Sequence, residues 1–154
     1  MFALIHGNLD RQSKALSLLA ELLDEEFSLL LNRDTESVTS LEFSIHELLR
    51  QLTLEKEEVI RRLGGGRVLD YAEMLPATEG DALRTLWQTI DDSEQLCSRK
   101  ASRNTELSLG LMDQSTELLN FLHKRILPPQ RQTYSRSGRY TQSHPEASLI
   151  SGRL

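Results

Sequence analysis

The sequence predicts an all-α protein: an elongated antiparallel helical bundle of three main helices, the third very long, followed by a flexible C-terminal tail. Three observations predict it. Leucine occurs 30 times in 154 residues, while the breakers Gly (8) and Pro (4) are scarce. Aromatic residues are only 5% of the chain, and long runs of straight-chain residues favour helix over sheet. Apolar residues recur at helical spacing along three separate stretches.

The first helix is expected from about Leu9 to Arg33, with Asn8 as N-cap and Asp10 in its positive first turn. At about 100° per residue, Leu9, Leu16, Leu19, Leu23, Phe27 and Leu30 form one stripe. Leu18, Leu22 and Leu29 form a second stripe beside it. Together they cover about 220°, against roughly 100° for an ordinary surface helix. One neighbour cannot cover that arc, so this helix either touches two neighbours or keeps part of its face for a partner.

The second helix is expected from Thr35 to Leu63, capped by Asp34 or Thr35 and ended by Gly64–Gly66. Its stripe, Val38, Leu41, Ile45, Leu48, Leu52, Val59 and Leu63, is narrower, and Phe43 and Leu54 lie on the opposite face. Arg67–Gly80 reads as a connector with one helical turn, stopped by Pro76. The third helix is expected from Asp81 to Leu127, roughly 70 Å long, ended by Pro128 and Pro129. Its facing line begins with Leu83, Leu86, Trp87 and Ile90 and closes with Leu118, Leu119, Leu122 and Ile126. Between them it is small and polar, at Cys97, Ala101, Asn104, Ser108 and Ser115.

Charge divides the chain into a helical body, 1–127, and a tail, 128–154. The tail holds four arginines against one glutamate, net +3, and leaves the body with 14 cations against 22 carboxylates, net −8. Rich in Ser, Gln, Thr and Pro, the tail buries too little apolar area to offset its ordering entropy and reads as disordered when alone. An overall charge of −5 argues against nucleic-acid binding driven by phosphate neutralisation. No apolar run approaches about 18 residues, so no membrane insertion is expected. Met1–Gly7 lacks the basic flank and length of a signal peptide. The expected compartment is the cytoplasm.

Catalytic and metal-binding patterns are missing. His6, His46, His123 and His144 share no turn with a carboxylate at ligand spacing. Gly64–Gly66 ends a helix rather than following a strand, so it reads as a helix cap and hinge rather than a phosphate loop. Cys97 lies on an apolar face with no local histidine, as a structural thiol does. Nucleophile, base and oxyanion donors cannot be assembled, so no enzyme, cofactor or metal is expected. Surface physics leaves several readings open: a groove that binds a partner's amphipathic helix, an ordinary bundle whose wide face is core, a helical adaptor that self-associates through a coiled-coil-like interface, or an acidic regulator of a basic protein.

A resemblance narrows these. The Leu-rich opening helix (ALSLLAELLDEEFSLLL) is followed by a polar break and a helix with Leu41, Leu48 and Lys56 (LEFSIHELLRQLTLEKEEVIRRL). LRTLW, from Leu83 to Trp87, opens the long helix, and Asn104 lies within it (SRNTELSLGLM). The closing turns (STELLNFLHKRIL) lead to a tyrosine and a glycine (YSRSG, Tyr134 to Gly138). In order, length and tail, the sequence resembles the FlgN-type flagellar export chaperones. It departs from them where Thr105 follows Asn104 in place of the usual glycine, and its tail is longer. The resemblance implies a small cytoplasmic helical chaperone of type III flagellar export, with no cofactor. Such a chaperone binds the C-terminal helical region of hook-associated (hook–filament junction) proteins, prevents their premature assembly and escorts them to the export apparatus. Carried onto this chain, the resemblance implies substrate binding at Leu111, Leu118, Leu119, Leu122 and Ile126, and docking at the export gate through Tyr134.

Overall fold

Four helices account for nearly all of the 126 residues, 1–126, that the computed structural model describes: α1 Phe2–Leu31, α2 Thr35–Arg62, α3 Val68–Glu73 and α4 Ala77–Ile126. No strand occurs among the described residues. The chain divides into two compact units, Met1–Asp113 and Gln114–Leu154. The expectation of a disordered tail over 128–154 lies outside the described residues.

Within the first unit, α1 is the helix that both others cover. α2 returns beside it through a three-residue turn whose geometry is written in backbone bonds. Asp34 N–H donates to Leu29 O at 3.1 Å and Arg33 N–H to Leu30 O at 3.0 Å, a Schellman closure with Arg33 left-handed at φ 56. Asp34 then caps α2 by accepting from Ser37 N–H at 3.1 Å, as its sequence position predicts. α2 closes the same way: Gly65 N–H donates to Ile60 O at 2.9 Å and Gly64 N–H to Arg61 O at 3.1 Å. The φ values of 60 and 85 at Gly64 and Gly65 are the left-handed conformations that glycine adopts without strain.

α4 runs parallel to α1 at a constant sequence offset. Cys97 Sγ–H donates to Leu16 O at 3.4 Å, and Asn104 Nδ2 to Leu23 O at 2.7 Å, both pairs 81 residues apart. About two turns on from Leu16, Asp24 accepts from Lys100 at 2.5 Å and Arg103 at 3.2 Å, and the Arg103 guanidinium lies 3.9 Å from the Phe27 ring centre. Buried positions follow the same metre: Leu83, Ile90, Cys97 and Asn104 on α4, and Ile45, Leu52 and Val59 on α2, recur every seven residues. Seven residues are just under two helical turns, so such positions form one nearly straight seam.

Three expectations are corrected. The first helix begins at Phe2, not Leu9, and Asn8 is not its cap. Ile5, Asn8 and Leu9 are all essentially inaccessible, so tertiary burial carries the helix through a residue that reads locally as a boundary. Pro76 does not merely stop a connector: its carbonyl accepts from Gly80 N–H at 2.9 Å, so the long helix opens four residues before the expected Asp81. Proline suits the start of a helix because it has no N–H to leave unpaired. Trp87 leaves the facing line, being 37% exposed. Gly80, by contrast, is buried against α3.

Asn8 has a tertiary role instead. Its amide donates to Glu55 O at 3.1 Å and to the Glu55 carboxylate, and its Oδ1 accepts from Gln12 at 2.6 Å. Arg11 adds two bonds to Glu55, each 2.8 Å. The Arg11 hydrogen bond above all, with Asn8 assisting, holds the Glu55 carboxyl below its ordinary value of 4.5. A carboxyl depressed in the folded state contributes stability above its unfolded value and loses it as the pH falls through the folded one. Glu55→Gln is therefore expected to be less stable than the parent at pH 7, with the difference shrinking as the pH drops below 4.5; urea melts across that range measure it. A Cβ added at Gly80 would lie 2.5 Å from Ala72 O. Gly80→Ala is expected to cost about 1–3 kcal/mol through overpacking, read as a lower urea midpoint with unchanged slope.

Candidate functional site

The described part of the second unit, residues 114–126, is helix whose large side chains meet solvent. Leu118 is 58% exposed, Leu119 56%, Phe121 51%, Leu122 39% and Ile126 72%. At 100° per residue these five fall within an arc of about 160°, so they form one apolar face rather than scattered singles. Asn120, Lys124 and Arg125 sit among exposed positions of the same turns. His123, Lys124 and Arg125 place basic side chains in the last turn, where they complement the negative end of the helix dipole. The Arg125 guanidinium lies 4.9 Å from the Phe121 ring centre, a cation–π contact that orients the ring while leaving it half open.

Four of the five residues expected to bind substrate thus share this face. Leu111 does not join them: it belongs to the first unit and is only partly exposed. The offset of 81 established by Cys97 and Asn104 places it level with Leu30, which is also partly buried. Phe121 was missed by the sequence reading. Its signal was present, because it stands three residues after Leu118 and so on the same side of the helix. Tyr134 lies outside the described residues.

Among the described residues, no group of three His, Cys, Asp or Glu side chains is placed to hold a metal ion. Cys97 is buried, and that burial pushes its thiol above the ordinary cysteine value, which disfavours the nucleophilic thiolate. No described helix is long and apolar enough to cross a membrane.

No curated protein and no solved structure matches the chain. The sequence model described as FlgN protein matches residues 1–142, which takes in the first unit, residues 114–142 of the second and the whole exposed face. The chain therefore belongs to the FlgN family, a family of flagellar export chaperones that bind flagellar proteins.

Proposed function

We propose that this chain binds the C-terminal helical region of hook–filament junction proteins in the cytoplasm, keeps them from assembling prematurely and delivers them to the type III export gate. The observation that supports this reading is the exposed face of Leu118, Leu119, Phe121, Leu122 and Ile126. An apolar helical segment that mediates assembly between subunits is masked when its own apolar face is laid against such a surface.

The energetics suit a carrier that must release its cargo. Each of these side chains still has roughly half its area to bury, worth about 1 kcal/mol apiece. The sum is partly offset by the cost of association, which leaves room for a micromolar to submicromolar complex, roughly −8 to −9 kcal/mol.

Replacing Leu118 and Leu122 together by alanine is expected to weaken binding of a hook–filament junction protein's C-terminal segment about thirtyfold, near 2 kcal/mol. Helical content should stay intact, since neither side chain is buried. Calorimetry and circular dichroism measure the two, and unchanged affinity would overturn the placement. Sedimentation separates this reading from a self-associating adaptor. A concentration-independent monomer supports the chaperone, whereas a dimer that the same double substitution dissolves supports the adaptor. For the gate, Tyr134→Ala is expected to keep substrate affinity and lose secretion of the substrate into the medium.

A further inference from the structure

A groove runs along the first unit between α2 and α4. Its floor is α1, through Leu16, Leu19 and Leu23, and small residues on α4, Cys97, Ser98 and Ala101, leave it unfilled. At one point Lys56 Nζ ties the walls together, 2.5 Å from Glu94 Oε1. Two adjoining hollows, of about 350 and 310 Å³, share Leu23, Ile45 and Ala101. In the first, apolar side chains dominate the lining. The second differs in charge. Glu26 of α1 and Glu42 of α2 line it together with His46 and Asn104, and among the described residues no lysine or arginine does.

Asn104 is the informative residue. Its Nδ2 donates to Leu23 O at 2.7 Å and to Glu26 Oε2 at 2.6 Å. Both partners are acceptors, so the amide nitrogen must face them and Oδ1 is turned away from them. The residue is 3% exposed, and Oδ1 has no hydrogen-bond partner among the described residues. A buried acceptor left unpaired is costly, and native interiors rarely keep one without a use. The neighbouring cations do not balance Glu26, because Lys100 and Arg103 are both engaged by Asp24.

We propose that the second hollow receives an arginine side chain from an amphipathic helical segment of a partner protein, while that segment's apolar residues occupy the first hollow. A guanidinium carries five donors in a planar fork. It answers both features at once, placing charge between Glu26 and Glu42 and a donor at Asn104 Oδ1. The site lies wholly within Met1–Asp113 and uses none of the leucines assigned to substrate above, so either assignment can fail alone.

The test is calorimetry of the full chain with three synthetic amphipathic helical peptides that differ at one position: arginine, citrulline or norleucine. Citrulline keeps three of the five N–H donors, carries a carbonyl oxygen in place of one terminal nitrogen and loses the charge; norleucine loses donors and charge alike. The arginine peptide is expected to bind about tenfold tighter than the citrulline peptide, as a charge-assisted bond against a neutral one, and norleucine is expected to be weaker again. Glu42→Gln, at an exposed position, should remove most of the preference for arginine over citrulline without changing the melting temperature. Leu118→Ala with Leu122→Ala should leave the order of the three peptides intact. The side-chain amide signal of Asn104 should shift when the arginine peptide is added. Equal affinities for the three peptides, no binding, a preference that Glu42→Gln leaves untouched, or an unmoved Asn104 signal would each overturn the proposal.

Discussion

The first unit depends on the width of the apolar surface that α1 carries. Ile5, Leu9, Leu16, Leu19 and Leu23 are each 5% exposed or less, and together with their partly buried neighbours Phe2, Ala15 and Leu22 they occupy more of the helix circumference than one partner covers. Two helices must therefore approach α1, one from each side. α2 does so by doubling back after a three-residue turn, and α4 by running alongside in the same direction. The limit of this arrangement is the end of α1 itself. At an offset of 81, its last residue, Leu31, is level with Met112, and the first unit closes at Asp113.

Burial supplies the attraction, but a leucine seam repeating every seven residues would tolerate a slip by one repeat. Polar contacts remove that freedom. Asn8 and Arg11 converge on Glu55, fixing α1 against α2. Asp24, Lys100, Arg103 and Asn104 fix α1 against α4. Shifting either pair by a repeat would strand buried Asn8 or Asn104 without partners, at about 1–3 kcal/mol for each unpaired group. A single buried polar position is known to set register in coiled coils by the same asymmetry.

Much of this was legible in the sequence. The arc on α1 is too wide for one neighbour and leaves two readings, a second neighbour or a waiting partner, of which the structure shows the second neighbour; Asp34 and Gly64 mark caps that the backbone bonds reproduce, and spacing alone places Leu118, Leu119, Leu122 and Ile126 on one face. The misreadings share a cause. Asn8 and Pro76 carry strong local preferences for boundaries, and each was read by that preference. In the folded unit, burial of Ile5 and Leu9 beside Asn8 outweighs the preference for a cap, and Pro76 marks the opening of α4 where it was read as a stop. The unpaired oxygen of Asn104 could not be read at all, since it arises from which atoms of α1 its nitrogen meets some eighty positions away.

The parallel course of α1 and α4 also bears on how the molecule is made. Leu16 finds Cys97 only after 80 further residues have been joined to the chain, as does Leu23 with Asn104. The hairpin of α1 with α2 is local and closes quickly; the partnership across the long interval is slower, because a longer loop costs more entropy to close. A nascent chain on the ribosome thus carries a half-dressed α1, greasy on one flank, from the completion of α2 at Arg62 until Cys97 and Asn104 of α4 have been made. For a member of a chaperone family, its own birth thus passes through a stage of exposed apolar surface.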